Sequence, residues 1–337
     1  MVECLTLVLL PSPAIFFKRN GTKNAINNSN PAKIPAIREV HRFHLYPHPA
    51  HPYAAPVEEV RLTILGSGSA GNAAYLETPG ARVLIDCGLS ARRIRNALLE
   101  MNRTPERLDG ILITHEHSDH VSGLKVLAAK LGIPIYCNRH TATEIRQIHK
   151  CEFKFQLFET GHHFEIGDLG VETFPVPHDA IDPVGFVLHT PAAQIGWLTD
   201  LGHGTRLAAD RVRHAEVLLL ETNHDLELLR DDPRRPPSLK QRIFSQHGHL
   251  SNEGAADFVE RIFHDRLRHI FCAHLSSDCN EPDLARDEIT QKLAQLGGQH
   301  VQVHIASQKT ACETLVLPEK KMADSGEKSI ATPSLAL

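Results

Sequence analysis

The sequence predicts an α/β fold in which two mixed β-sheets stack face to face and helices cover both outer faces, an αββα sandwich. Short apolar segments from residue 60 onward fall into two groups of strands, and segments with helical periodicity follow each group. A chain of 337 residues is long enough for one large α/β domain or two small ones. We expect a single domain over residues 60–318, where these patterns lie.

The first half of the pattern combines a hairpin with alternating strands and helices. The segments 73–78 and 81–86 predict two strands joined by a turn at Pro79-Gly80. A helix is predicted over 90–101 because its apolar residues fall roughly on one face. We further expect strands at 61–66, 110–114 and 134–137, and helices at about 121–131 and 140–149.

Strands dominate the second half of the domain. They are expected at 164–166, 169–175, 184–189, 194–199, 216–221, 269–274, 301–306 and 313–317. Helices are expected at 225–230, 252–263 and 283–296. The segment 231–238, rich in Pro and Arg, is predicted to be a loop.

The two ends of the chain lack these patterns. We expect a disordered N-terminal extension over residues 1–59 and a disordered tail over 319–337. The tract 41–53 carries several of the 23 histidines, but it is Pro-rich and aperiodic, so we interpret it as leader rather than as an accessory metal-binding tract. The apolar start faintly resembles a signal peptide, yet Pro11 and Pro13 interrupt it and no basic segment precedes it.

Composition narrows the function classes. The formal net charge of −4 lacks the overall basic character of a nucleic-acid-binding domain, so a polyanion would have to meet a local patch or metal ions. Seven cysteines without a CxxC pair argue against a disulfide framework and against a cysteine-type structural zinc site. A reducing, cytoplasmic location fits this usage. No apolar run is long enough to span a bilayer, so we expect no membrane partner.

The hexapeptide HEHSDH at 115–120 carries the strongest functional signal, since it directly follows a predicted buried strand and precedes a helix. His115 and His117 are two residues apart, so in extended backbone their side chains point the same way. Asp119 and His120 stand where the chain turns into the helix and can aim at a second point nearby. One loop could therefore serve two metals, and its imidazole and carboxylate ligands suit zinc, manganese or iron. A polar helix cap is the less favoured interpretation.

Three further polar residues follow or end strands far along the chain. They are His178 in PVPHDA, Asp200 in IGWLTD and His274 in IFCAH. Each alone would be typical of a strand end or a surface position. Together they supply the ligands that HEHSDH lacks, and we expect one rim of the sheets to gather them.

This arrangement resembles the five-motif pattern of the metallo-β-lactamase superfamily, whose first motif is matched by Asp86 in LIDCG. The resemblance covers roughly residues 61–318 and implies the metallo-β-lactamase fold and a binuclear metal-dependent hydrolase. It implies one metal held by His115, His117 and His178, a second held by Asp119, His120 and His274, a bridging Asp200, and an Asp86 that orients ligands without binding metal. Asp rather than Cys at position 200 separates the chain from the antibiotic-degrading branch.

A second motif points elsewhere. GSGSAG at 66–71 matches the GxGxxG pattern of dinucleotide-binding folds and follows a strand. Such a site would require a helix next, whereas the following residues predict a β-hairpin. We therefore expect these glycines to shape a tight loop beside the metals.

Three segments resemble the YycJ/WalJ-type branch of the superfamily: ETNHD at 221–225, GHLSNEGA at 248–255 and HLSSDCNEP at 274–282. Members of this branch are described as phosphodiesterases and DNA exonucleases. The resemblance therefore implies that DNA is the substrate and partner. It also implies that a hydroxide bridging the two metals attacks the phosphorus of the phosphodiester.

Residues in and near these segments are candidates for the remaining roles. Beside Asp119, His249 or His224 could act catalytically by protonating the leaving group, or could simply bind phosphate. A helix beginning near Ser251 would offer N–H groups to phosphate, and residues 230–242 form the only dense basic run. The candidate substrate contacts are Ser251, Asn252, Asn223 and Arg242. A solvated basic loop and a plain helix cap remain equally open.

Two other function classes remain open. A thioester or lactone hydrolase similar to glyoxalase II would use the same metals, but a small neutral ester would not need the basic run at 230–242. A non-enzymatic metal-binding scaffold would be expected to have an eroded ligand set, whereas every ligand position is filled. Two divalent cations are expected, with zinc preferred and manganese or iron open. The sequence leaves the oligomeric state open.

Overall fold

The structure is a computed structural model, and it describes residues 59–318. The predictions made for the N-terminal extension, for the histidine-rich tract at 41–53 and for the tail from 319 lie outside the described residues. Among residues 59–318, no helix has both the length and the apolar character needed to cross a membrane.

Two mixed sheets of seven strands each make up the centre of the described region. The first sheet has the order β14-β1-β2-β3-β4-β5-β6 and contains β1 (Glu59–Gly66), β2 (Ala73–Glu77), β3 (Arg82–Ile85), β4 (Gly110–Leu112), β5 (Ile135–Asn138), β6 (Phe155–Phe158) and β14 (Leu315–Pro318). The second has the order β13-β12-β11-β10-β9-β8-β7 and contains β7 (His163–Ile166), β8 (Leu169–Pro175), β9 (Val184–His189), β10 (Gln194–Leu198), β11 (Val217–Glu221), β12 (His269–Ala273) and β13 (Gln302–Ile305).

Each sheet combines an antiparallel part with a parallel part. In the first sheet β14, β1, β2 and β3 pair antiparallel, whereas β3 to β6 run parallel. In the second sheet β7 to β10 pair antiparallel, and β10 to β13 run parallel. The chain passes from the first sheet to the second after β6 and returns with β14. The carboxyl ends of the parallel strands are therefore available to carry a site, as is usual in α/β folds.

Helices cover both outer faces. The described helices are α1 (Ala91–Glu100), α2 (Ser118–Val121), α3 (Leu124–Leu131), α4 (Arg139–His149), α5 (Arg206–Val212), α6 (Leu226–Asp231), α7 (Pro237–Phe244), α8 (Asn252–Ile262) and α9 (Pro282–Gln295). One apolar core joins the first sheet to α1, α3 and α4, and another joins the second sheet to α5, α8 and α9. A third core lies between the two sheets. The predicted αββα sandwich is confirmed.

Because side chains alternate along a strand, each sheet contributes residues to the core on either side of it. Val60, Leu62 and Ile64 of β1 point into the core between the sheets, whereas Leu65 joins the outer core beneath the helices. Successive side chains of a strand face opposite sides, so a strand buried on both faces needs apolar residues throughout. This requirement produces the apolar runs that identified the strands in the sequence.

The elements that the sequence analysis missed bury few side chains. The helix α7 starts within the segment predicted as a loop and buries none of its residues, and its apolar pair Leu239 and Ile243 gives only a short helical pattern. Only Phe158 of β6 is buried. In place of the predicted helix at 121–131 the chain forms α2 and α3, which are separated at residues 122–123, where the Gly123 N–H donates to the Cys87 carbonyl oxygen at 2.7 Å.

Candidate metal centre

Three polar residues at or just beyond the ends of strands share an unusual backbone conformation with a positive φ angle. Asp86 and His274 directly follow β3 and β12, and Asp200 lies two residues beyond β10. Their φ angles are 59°, 57° and 51°, in the left-handed region that few non-glycine residues adopt. Such conformations persist where the surrounding structure holds them, and they cluster at functional sites. This conformation directs all three side chains into one site.

The loop after β4 supplies the next residues. His115 lies three residues beyond β4, and His117 is the residue that precedes α2. Asp119 and His120 lie in the first turn of that helix. The order of strand, loop and helix is the one that the sequence predicts, and it presents four polar side chains within six residues.

Three histidines form the first group of donor atoms. His115, His117 and His178 each offer one nitrogen, and these atoms all lie within 4.8 Å of one another. His178 Nδ1 donates to the Gly248 carbonyl oxygen at 3.0 Å, so Nε2 carries the lone pair and lies 3.2 Å from His117 Nδ1. His115 Nε2 is buried and has no hydrogen-bond partner among the described residues. A buried, unpartnered imidazole nitrogen is costly unless something binds it.

The second group consists of Asp119, His120, Asp200 and His274, and their donor atoms also lie within 4.8 Å of one another. The Asp86 carboxylate accepts a hydrogen bond from His120 Nδ1 at 2.8 Å, which turns His120 Nε2 toward Asp200. His274 Nε2 lies 3.3 Å from Asp119 Oδ2. Asp86 therefore orients His120 without contributing a donor atom to this group.

Asp200 lies between the two groups. Its Oδ1 is 3.6 Å from Nε2 of His178 in the first group and 3.6 Å from Nε2 of His274 in the second. Its Oδ2 is 3.0 Å from His120 Nε2. His120 Nε2 also lies 3.1 Å from Asn72 Nδ2, and with Nδ1 bonded to Asp86 it is the nitrogen that could bind a metal ion. The nitrogen and oxygen donor set fits zinc, manganese or iron, so these residues can hold divalent metal ions.

A buried carboxylate that the sequence analysis did not assign holds two of the histidines. Glu221 ends β11, and its Oε1 lies 2.7 Å from His249 Nδ1 and 2.9 Å from His274 Nδ1. Its Oε2 accepts the backbone N–H groups of Leu201 at 2.6 Å and Leu250 at 3.1 Å. Glu221 therefore fixes which nitrogen of each histidine faces the site. The available signal was a charged residue at the end of the otherwise apolar strand VLLLE.

Burial and neighbouring charges together shift the pKa values of the ionisable groups in this centre. Burial alone would raise the pKa of Asp200, but the nearby His274 and His120 hold that pKa well below its usual range. Burial, helped by the neighbouring His120, lowers the pKa of His115 well below its usual value. Burial disfavours the charged form of His249, but the Glu221 carboxylate outweighs it and raises the pKa of His249. Burial disfavours the charged forms of His120 and His274 as well, but Asp200 and the other carboxylates around them outweigh it and raise both pKa values well above the usual value. The carboxylates of the centre are therefore ionised, and metal binding would displace protons from His120 and His274.

Comparison with known proteins agrees with this arrangement. Residues 81–270 match the model of the family described as beta-lactamase superfamily domain. "Exodeoxyribonuclease WalJ" of Streptococcus pneumoniae serotype 2 is 41% identical over 239 residues, which cover 70% of this chain and 88% of that protein. "Exodeoxyribonuclease YycJ" of Bacillus anthracis is 36% identical over 251 residues, which cover 73% of this chain and 94% of that protein.

The chain belongs to the metallo-β-lactamase superfamily, in its YycJ/WalJ-type branch. Among solved structures, the metallo-β-lactamase fold protein YhfI from Bacillus subtilis superimposes with a TM-score of 0.57 at 15% identity, covering 75% of this chain and 99% of that one. This last likeness concerns the fold alone. The predictions of the metallo-β-lactamase fold and of the YycJ/WalJ-type branch are confirmed.

In this metallo-β-lactamase-fold centre, three of the four residues predicted to contact substrate form hydrogen bonds with other residues of the protein. Ser251 caps α8 by accepting from Gly254 N at 3.1 Å. Asn252 exchanges two amide hydrogen bonds of 2.9 Å with Asn280. Asn223 donates to the His274 carbonyl oxygen at 2.8 Å. These bonds hold the loops that carry His249 and His274, so a direct contact with substrate would have to add to them or replace them.

The two histidines predicted as proton donors occupy different surroundings. His249 lies with its ring centroid 5.2 Å from those of both His178 and His274, and 22% of its side chain is exposed. His224 is buried beside Phe244, neither of its ring nitrogens has a hydrogen-bond partner within residues 59–318, and burial lowers its pKa to about 4. The structure places His249 beside both donor groups, whereas it places His224 against Phe244 at the end of α7.

Gly88 gives this metallo-β-lactamase-fold site room for its metal-binding loop. A Cβ at position 88 would lie 1.5 Å from the Asp119 carbonyl oxygen and 2.2 Å from its carbonyl carbon. We expect Gly88→Ala to lower the free energy of unfolding of the chelator-treated protein by about 3 kcal/mol, because backbone must move. Urea unfolding measures this loss. Gly254→Ala is the control, since a Cβ there would meet first the Leu250 Cδ1 atom, at 2.9 Å. Equal losses in the two variants would contradict the prediction.

Proposed function

We propose that the protein is a metal-dependent exodeoxyribonuclease that hydrolyses phosphodiester bonds of DNA from an end. The observation that carries the proposal is the pair of donor groups joined by Asp200, with the exposed edge of His249 beside them. Two close divalent cations are the usual means of phosphodiester hydrolysis. The names of the relatives from Streptococcus pneumoniae and Bacillus anthracis support DNA as the substrate.

The proposed ligands divide as the donor groups do. His115, His117 and His178 would hold one cation, Asp119, His120 and His274 the other, and Asp200 would bind both. We propose Zn²⁺ as the resident metal, a choice that the donor set supports without excluding Mn²⁺ or Fe²⁺. When bound, two such cations supply an activated water molecule and neutralise negative charge on the phosphodiester.

We propose that His249 delivers the proton that the leaving oxygen needs. Its Nδ1 is held by Glu221 at 2.7 Å, so the imidazole keeps one orientation and presents Nε2 as its free edge. The negative charge of Glu221 favours the protonated ring before transfer and stabilises the proton on Nδ1 afterwards. His224, buried and without a polar partner among the described side chains, is less suited to this role.

We further propose a reducing, cytoplasmic location. The six cysteines among the described residues are all free, and four of them are buried. Free cysteines are usual where glutathione and thioredoxin keep thiols reduced. DNA as substrate is consistent with the same compartment.

Metal removal tests the proposed function directly. We expect the purified protein to carry about two divalent ions per chain and to digest linear DNA while leaving closed circular DNA intact. Dialysis against a chelator should abolish both this digestion and the hydrolysis of bis-p-nitrophenyl phosphate, and added Zn²⁺ or Mn²⁺ should restore both. Elemental analysis and gel assays provide the readouts.

A parallel assay distinguishes a nuclease from a thioester hydrolase. S-acyl glutathione tests for a thioester hydrolase similar to glyoxalase II, which would use the same ligands. Metal-loaded protein that hydrolyses the thioester but neither diester would overturn the proposal in favour of the thioester hydrolase. Metal-loaded protein inert toward all three substrates would instead favour a non-enzymatic scaffold.

A further inference from the structure

The helix α7 lies at the surface, and Phe244 at its end contacts the His224 ring with 5.4 Å between the ring centroids. None of the eight residues of α7 is buried. Most helices of globular domains bury an apolar face, whereas Leu239 and Ile243 of α7 are only half-buried and Phe244 is exposed. The main-chain N–H of His249 donates to the Ile243 carbonyl oxygen at 3.0 Å, so the end of α7 is joined to the segment that carries the proposed proton donor.

Arg242 connects α7 to the metal centre. Its Nε donates to Asp179 Oδ2, and Asp179 directly follows the ligand His178. The other oxygen of Asp179 lies 3.4 Å from His178 Nε2. The Arg242 side chain is 59% exposed. Because the contact with Asp179 is made through Nε, the two Nη groups lie at the outer end of a guanidinium that is held beside the centre.

The other cations of the basic run are used differently. Arg234 and Arg235 both pair with Asp232 and Asp278, so two carboxylates neutralise two guanidinium groups. Lys240 donates to the Arg230 carbonyl oxygen. The run that looked uniformly basic in the sequence therefore contains one arginine directed to the metal centre and two held in an ion-pair network with Asp232 and Asp278.

We propose that Arg242 binds a phosphate of the DNA strand next to the one being hydrolysed, and that Asp179 positions it there. The inference rests on the proposed function and names the residue that lets the centre recognise a polymer. An arginine can keep one N–H on a carboxylate while its Nη pair binds two phosphate oxygens. Pairing with Arg242 also offsets the charge of Asp179, which would otherwise repel the approaching backbone.

The salt dependence of DNA binding tests this assignment. Metal-loaded protein is titrated at several salt concentrations with a duplex whose end linkages are phosphorothioates that resist digestion. Each phosphate contact contributes about 0.9 to the slope of log K against log salt for duplex DNA. We expect R242Q to reduce this slope by about 0.9 and to weaken binding about tenfold. The conservative R242K should keep the slope and lose only part of the affinity, since lysine keeps the positive charge but lacks the paired N–H groups that bind two phosphate oxygens.

Arg234→Gln is the matched control, because Arg234 is 63% exposed and lies in the same basic run. It should leave the slope unchanged. Hydrolysis of bis-p-nitrophenyl phosphate, which has no neighbouring phosphate, should fall by a smaller factor in R242Q than hydrolysis of DNA does. D179N should lower DNA affinity with the metal content intact, as expected for a positioning residue.

The outcomes distinguish this inference from the function on which it rests. If the wild-type protein digests and binds DNA but R242Q keeps the wild-type slope, the assignment of Arg242 is wrong and the nuclease proposal stands. If R234Q lowers the slope as much as R242Q, the basic run acts as a diffuse patch and the assignment is also wrong. If the wild-type protein neither binds nor digests DNA, both proposals fall.

Discussion

Replacing Asp200 by asparagine is expected to remove metal binding and hydrolysis together. The carboxylate lies 3.6 Å from a histidine nitrogen of each donor group, so it serves both proposed cations. Asparagine has nearly the same shape, but it carries no charge and directs an NH₂ group toward atoms that should bind metal. Loss of one charge-stabilising group in an active site costs about 10²–10³ in rate. Because Asp200 would serve two cations, we expect kcat/KM to fall by about 10⁴.

Metal content and activity must be measured on the same preparation. Elemental analysis after dialysis should show fewer than about two ions per chain, and both DNA and bis-p-nitrophenyl phosphate should be affected equally. Asp210→Asn provides the matched control, because Asp210 lies on α5 with its side chain 59% exposed. A D200N protein that retains its metals and its activity would show that Asp200 is not the shared ligand.

The parts of the site predicted from sequence are those whose signals are local. HEHSDH places four polar side chains in one loop after a buried strand, and strand periodicity identifies that strand. His178, Asp200 and His274 each stand in the loop after an apolar strand or directly at its end, so the fold class was enough to suggest where they meet. Asp86 needed the family resemblance, since one aspartate after a strand is not a signal by itself.

The parts that the sequence did not reveal depend on contacts between distant segments. Glu221 meets His274, 53 residues away, because β11 pairs in parallel with β12, which His274 directly follows. It meets His249, 28 residues away, because the segment before α8 lies against the end of β11, where Leu250 N also donates to Glu221 Oε2. The roles within the basic run depend on Asp278 and Asp179, which are 44 and 63 residues from the arginines they bind. The helix α7 has no fully buried residue, and its eight residues carry too short an apolar pattern to indicate a helix.

Removal of His249 is expected to affect two diesters to very different extents. If His249 protonates the leaving oxygen, its loss matters most when that oxygen is a poor leaving group, such as the sugar hydroxyl of DNA. General acid catalysis contributes about 10²–10⁴ in rate, and we expect His249→Ala to lower kcat on DNA by about 10³. p-Nitrophenolate leaves without needing a proton, so the rate with bis-p-nitrophenyl phosphate should fall less than about tenfold.

Two measurements separate this role from a structural one. Glu221 also binds His274 Nδ1 at 2.9 Å, so His274 remains oriented when His249 is removed and the metal content should stay at its wild-type level. His247→Ala is the matched control, because His247 is exposed and lies two residues before His249; its kcat should equal that of the wild type. Equal losses on both diesters would show that His249 supports metal binding or substrate binding. Only a large loss on DNA, a small loss on the activated diester and an unchanged metal content together identify a proton donor, because a disturbed metal centre would slow both reactions alike.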